Sequence, residues 1–176
     1  MVDPASDVRL PTPRHDGEVS LEHALTTRRS IREFARGALT LAEVGQLLWA
    51  AQGVTHSAGL RTAPSAGALY PLEVYLAAGE VSALTPGLYR YDPNRHMLAK
   101  TEDLDCRIEL ANAALCQAWI ATAAAILVLA AVHQRMTDKY GSRGERYVHI
   151  ESGTSTYRRS HWASEPPRLA RSTIAP

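Results

Sequence analysis

Three arginines and a serine stand within the five residues Arg28-Arg29-Ser30-Ile31-Arg32. A guanidinium is permanently charged and bonds two oxygens at once, and Ser30 adds a neutral donor, so this spacing suits a phosphate clamp. A second motif, Arg61-Thr-Ala-Pro-Ser-Ala-Gly-Ala-Leu-Tyr-Pro71, is a loop of small residues. Missing side chains at Ala63, Ser65, Ala66, Gly67 and Ala68 would let backbone groups come close to a planar ring. A third, Lys139-Tyr140-Gly141 followed by Arg143, Gly144, Arg146 and Tyr147, sets a lysine beside a tyrosine in a glycine-flanked loop. That pair can supply a proton acceptor and a hydrogen-bond donor, provided burial lowers the lysine's proton affinity. Taken singly, each motif has a plainer explanation: a solvated basic helix end, a Pro/Gly surface turn, exposed residues at a helix entrance. Together they describe a pocket for a phosphorylated aromatic cofactor, and an enzyme is the leading reading.

The elements that must position these motifs follow from periodicity. Residues 1–20 are rich in Pro and polar groups and read as an extended arm with little core to bury. A helix is expected over Leu21–Thr27. A second is signalled by a Thr40/Glu43 capping box and an apolar face of Leu41, Val44, Leu47, Leu48 and Ala51, closed by Gly53. Strands are predicted at Leu72–Ala78, Gly87–Asp92 and His96–Ala99, the last two joined as a hairpin through Asp92-Pro93-Asn94. Leu104, Ile108, Ala111, Leu115 and Trp119 step by three or four and predict one amphipathic helix from Asp103 to Trp119. Ala125–Val132 reads as a buried strand, and another helix begins at Arg143.

Composition limits the function classes. The chain has 176 residues, 45% hydrophobic and 21% charged, as expected of one globular domain. Nineteen basic against eighteen acidic side chains leave a formal charge of +1, which offers no global field to nucleic acid or an anionic membrane. Cys106 and Cys116 are too few for a disulfide framework, and with seven scattered histidines no metal site is expected; His56, near the small-residue loop, is the one to check. The uncharged stretch Leu110–Val132 is mostly alanine and contains Asn112, Gln117 and Thr122, so it reads as a helix running into a strand rather than a membrane span. No export signal is visible, and a reducing cytoplasm fits best.

Beyond these motifs, Ser20-Leu-Glu-His-Ala-Leu-Thr-Thr-Arg28-Arg-Ser-Ile-Arg-Glu-Phe34, Leu39–Gly53, Pro86-Gly-Leu-Tyr-Arg-Tyr91 and Arg146-Tyr147 follow a recognisable order. That order resembles the nitroreductase-like family of FMN flavoproteins. Within it, the chain is most similar to the SagB-type dehydrogenases, which include the azoline oxidases of thiazole and oxazole peptide biosynthesis. The resemblance covers residues 8–153. It implies an α+β fold with a central, mostly antiparallel sheet flanked by helices, and a homodimer with its sites at the interface. It also implies that Arg28, Arg29, Ser30 and Arg32 hold the FMN phosphate and ribityl chain, that Pro64, Ser65, Ala66 and Gly67 contact the flavin of the partner subunit, and that Gln117 lies near the cofactor. Lys139 and Tyr140 would take the proton removed from an azoline ring. Two alternatives stay open: an NAD(P)H-dependent nitro- or quinone reductase, and a non-catalytic, degenerate flavin-fold partner protein or gene remnant.

The match stops at Glu151-Ser152-Gly153. Thr154–Pro176 holds four arginines, three prolines and one acid, with Leu169 and Ile174 its only large aliphatics. It reads as a shifted reading frame or a natural truncation that leaves out a C-terminal helix and last strand. The expected organisation is an arm over 1–20, an incomplete FMN-binding domain over 21–153 and a disordered tail over 154–176.

Overall fold

A computed structural model describes residues 7–34 and 37–162. Helix α1 (Leu21–Thr27) starts where the Ser20 hydroxyl accepts from the His23 N–H at 3.2 Å. Helix α2 (Leu41–Gln52) carries the predicted capping box: the Thr40 hydroxyl accepts from Glu43 N–H at 3.2 Å, and the Glu43 carboxylate accepts from Thr40 N–H at 2.7 Å. Its apolar face is buried, with Val44 and Leu48 at 0% exposure.

Five strands form one antiparallel sheet in the order β1-β4-β3-β2-β5. They are β1 (Asp7–Arg9), β2 (Leu72–Ala78), β3 (Gly87–Asp92), β4 (Met97–Glu102) and β5 (Ala125–Ala131). In β2 the period-two pattern holds: Val74 and Leu76 point into the core, while Glu73 and Tyr75 are half-buried. The Asp92 carboxylate accepts from the N–H groups of Asn94 and Arg95, which turns β3 into β4. One sheet face packs on α2 through Val44, Leu48, Val74, Leu76, Tyr89, Tyr91 and Leu98.

Several expectations change. The N-terminal arm is extended, but it is also a strand. β1 pairs with β4, Leu10 is buried in the core, and the carbonyl of Pro11 accepts from His96 Nε2 at 3.0 Å. β4 runs to Glu102 instead of ending at Ala99, because a register shift at Leu88/Tyr89 lets pairing continue. The single helix predicted over 103–119 is two: α3 (Arg107–Ala113) and α4 (Ala118–Ala121), broken where Leu115 and Cys116 take positive φ. Most of the supposed apolar face is consequently out of the core, with Leu104, Ile108 and Leu115 exposed at 61%, 64% and 89%, while Ala111 stays buried. β5 lies at the sheet edge and is half-buried, not enclosed on both sides.

After α5 (Gln134–Tyr140), the last helix does not stop near Gly153. α6 runs from Arg143 to Trp162, packs on α2, α5 and α1, and buries Ser155 completely. The rest of the expected tail, 163–176, lies outside the described residues. No helix among the described residues is long and apolar enough to cross a membrane.

Candidate active site

The small-residue loop is held at both ends. At its start, the carbonyl of Gly53 at the end of α2 accepts from Thr62 N–H at 2.8 Å, and Val54 bridges to Arg61. At its end the chain enters β2. Ala66 and Leu69 pack on Leu72, Met136 and Val148 together with Tyr140 and Tyr147, so the loop rests on α5 and α6. The Ser65 hydroxyl accepts from Tyr70 N–H at 3.0 Å and closes the turn.

This packing brings two of the sequence motifs together. Gly67 has φ +64°, and a methyl group added there would sit 2.6 Å from Tyr140 Oη and 2.8 Å from Lys139 Nζ. Glycine adopts that backbone without strain, and its missing side chain lets Lys139 and Tyr140 come this close. Lys139 Nζ lies 5.5 Å from the centre of the Tyr140 ring, and Tyr140 meets Tyr147 edge to face at 5.1 Å. Ala68 and Tyr70 also have positive φ, +53° and +46°. Non-glycine residues in that region cost about 1–3 kcal/mol each and persist where surrounding structure holds them, often at ligand clamps. Pro64 and Gly67 are exposed, Ser65 and Ala66 half-buried, and together they form an open strip beside the lysine and tyrosine.

The arginine motif follows the end of α1. Arg29 donates to the carbonyls of Thr26 and Arg28 at 3.0 and 2.8 Å, so its guanidinium closes the helix end. Arg28 is half-buried and Ser30 and Arg32 are exposed, and their side chains show no hydrogen bond or ion pair among the described residues. The segment ends at Phe34, which stacks at a tilt on Trp119 with centroids 5.8 Å apart. Trp119 Nε1 donates to the Gln117 side-chain oxygen at 3.1 Å, and Gln117 Nε2 donates to the Ala114 carbonyl. Gln117 is thus linked through Trp119 to Phe34, two residues past Arg32, while its amide is engaged at both ends by the α3–α4 turn. His56 Nδ1 accepts from Ala58 N–H in a local turn, and no group of His, Cys, Asp and Glu among the described residues could hold a metal.

Beneath the loop lies a polar cluster that the motif reading missed. Gln52 Nε2 donates to Ser155 Oγ at 2.7 Å and to Glu151 Oε1 at 3.4 Å, while the Gln52 oxygen accepts from Arg61 at 3.1 Å. The Arg61 guanidinium sits over the Tyr70 ring at 4.4 Å. Burial pushes the Glu151 carboxyl above its usual range, and the Ser65 and Gln52 side chains and the Arg61 charge pull it partly back. Burial likewise lowers the Arg61 guanidinium, against the pull of Tyr70 and Glu151. A helical phase carried past Gly153 would have put Val148, Glu151 and Ser155 on one stripe. An open cleft of about 260 Å³ adjoins this cluster, lined by Ala51, Leu127, Leu129, Ser152, Ser155 and Thr156.

Comparison with known proteins bears on the fold and the family. A nitroreductase-family protein of Methanocaldococcus jannaschii is 47% identical over 136 residues, which is 77% of this chain and 69% of the relative. The crystal structure of a nitroreductase-family protein of Ralstonia eutropha superposes with a TM-score of 0.77 at 31% identity, covering 90% of this chain and 71% of that one. One from Anabaena variabilis superposes with a TM-score of 0.76 at 27% identity, covering 91% of this chain and 34% of that one. The Escherichia coli microcin synthetase complex with a truncated pro-microcin peptide shares the fold, with a TM-score of 0.59 at 22% identity over 88% of this chain and 62% of that one. The sequence profile of the nitroreductase family matches residues 25–156, so it takes in the arginine segment, the small-residue loop, the Lys139–Tyr140 pair and the buried face of α6. With profile, relative and fold in agreement, the chain belongs to the nitroreductase family.

Proposed function

We propose that the protein is an FMN-dependent oxidoreductase of the SagB type, acting as a homodimer and oxidising azoline rings to azoles in a modified peptide. One observation carries this reading: Lys139 Nζ and Tyr140 Oη both approach Gly67, on the exposed part of the small-residue strip. The residues fit the cofactor chemically. The exposed Pro64 and Gly67 leave backbone that a flat ring could meet, and the side chains of Arg28, Ser30 and Arg32 offer donors with no competing protein acceptor among the described residues. When bound, FMN supplies the two-electron acceptor for hydride leaving the azoline carbon. The chain's own residues do the rest. Arg28 and Arg32 bind the phosphate and Ser30 bonds the ribityl chain, with Arg29 holding the α1 end in place. Pro64–Gly67 orient the ring at the subunit interface, and Gln117 stands near the arginine segment. Lys139, as the free amine, would take the proton released from the neighbouring ring position, with Tyr140 as a hydrogen-bond donor beside it; Lys139 is exposed, so the burial that the sequence reading asked of it is not found.

The 47% identical M. jannaschii relative, named for nitroreduction, favours a second reading, NAD(P)H-dependent reduction of nitro compounds or quinones. Turnover separates the two. Oxidation of an azoline peptide without nicotinamide supports the first, and oxidation of NAD(P)H with a nitroarene supports the second. Lys139→Ala is expected to bind FMN normally and to slow azoline oxidation by about 10²–10⁴-fold, the usual share of a proton-transfer group. Equal turnover removes Lys139 from the reaction. Folded protein that stays colourless with FMN and shows no thermal shift refutes both readings.

A further inference from the structure

One buried titratable group has no part in the chemistry above. Glu151, in the middle of α6, is 2% exposed, and its Oε2 has no hydrogen-bond partner among the described residues. An incompletely bonded buried carboxyl is costly where an apolar side chain would pack. Its surroundings lead step by step to the cofactor-edge loop. Gln52 joins Glu151 to Arg61, whose backbone N–H donates to the Tyr70 hydroxyl at 3.2 Å. Tyr70 N–H in turn donates to Ser65 Oγ at 3.0 Å, inside the strip that faces Lys139 and Tyr140.

We propose that Glu151 is a positioning residue whose charge, acting through Gln52, Arg61 and Ser65, sets how firmly the Pro64–Gly67 strip is held against Lys139 and Tyr140. The inference rests on the reading of that strip as the cofactor edge, but its test does not need the cofactor. Arg61 is the charged group that acts on Glu151, and it favours the ionised form. From α2 the facing group is the neutral Gln52, from the loop the neutral Ser65, whose side chain also favours the ionised form, and from α6 itself the neutral Ser155. Glu73 of β2 and Arg135 of α5 act on Arg61, and no charged group of α1 among the described residues acts on Glu151. Ionised Glu151 attracts Arg61 and tightens the loop, whereas the protonated form releases it. Loop protection is therefore high above the carboxyl's titration, which lies above the ordinary 4.5, and is lost below it.

Hydrogen exchange of peptides spanning 61–71, measured on the cofactor-free chain across that range and corrected for intrinsic pH dependence, tests this. In the native protein, acidification should speed loop exchange by about 2- to 10-fold, the range one hydrogen bond's net contribution implies, while β2 stays unchanged. In Glu151→Gln the loop rate should be flat with pH. A native loop with no pH dependence, or a Glu151→Gln loop that keeps it, overturns the proposal. Should Glu151→Gln not fold, Arg61→Gln carries the test alone, because cutting the link at the loop end must abolish the same dependence. FMN titration of the native protein is read separately. Failure to bind refutes the cofactor reading and leaves the exchange result to decide the role of Glu151.

Discussion

Gly67→Ala separates the strain of the loop from its contact with Lys139 and Tyr140. The backbone term is common to any alanine forced to positive φ, about 1–2 kcal/mol. In a domain of this size that lowers Tm by about 2–8 °C. The contact term is particular to this site. A Cβ would meet Tyr140 Oη at 2.6 Å and Lys139 Nζ at 2.8 Å, so these atoms must retreat by about 0.8 and 0.6 Å to reach ordinary contact at 3.4 Å. Both are ends of flexible side chains, so the retreat adds little to the loss of stability. It does move both polar groups away from the strip, and misplacement on the order of 1 Å costs about 10²-fold in rate. Turnover is therefore expected to fall by about 10- to 100-fold, mainly in kcat. Gly59→Ala is the matched control, since Gly59 has φ +78° and a Cβ there meets nothing within 4 Å. It should lose similar stability and keep its turnover. Calorimetry with steady-state kinetics on both variants decides the matter. If Gly67→Ala is as active as Gly59→Ala, the approach of Lys139 and Tyr140 to the loop has no part in catalysis.

Three further outcomes are expected. The double variant Arg28→Ala/Arg32→Ala should weaken FMN binding by about 10²-fold or more, as loss of two charge-assisted hydrogen bonds implies, while Arg29→Ala should chiefly loosen α1; unchanged affinity in the double variant refutes the clamp. Ala68→Gly relieves a non-glycine φ of +53° and should raise Tm by about 2–4 °C, read by differential scanning; an unchanged or lower Tm means the loop is not strained there. Burial favours the neutral form of His96; because the Pro11 carbonyl can only accept, that form carries its proton on Nε2, and Nδ1 accepts from Tyr91 Oη at 2.9 Å. Burial lowers its proton affinity, so the unfolded chain binds the proton more readily and stability falls as pH drops below the ordinary 6.5. Urea unfolding across that window should show the fall in the native protein and not in His96→Gln.

Where local signals act alone, the sequence was legible. The Thr40/Glu43 box and the α2 face depend on spacing within one helix, and β2 shows its period-two burial as expected. The helix expected over 103–119 failed because periodicity reports a face and not what covers it, and Leu104, Ile108 and Leu115 meet no core in this chain. The Gln52–Arg61–Glu151–Ser155 cluster was invisible for a related reason: its members come from α2, a loop and α6, as many as 103 positions apart. Stopping α6 at Gly153 on compositional grounds hid Ser155.

By itself the sequence determined the inventory: a guanidinium cluster after a short helix, a loop able to approach a plane, and a lysine–tyrosine pair before a helix. These are properties of residue type and short spacing, which act before any long-range contact forms. Tertiary structure decided which of them meet. The packing of Ala66 and Leu69 on α5 and α6 delivers Gly67 to Lys139 and Tyr140, and Arg29 is turned back onto the α1 carbonyls. Such choices depend on burying side chains from distant segments against one another, and no local spacing encodes them.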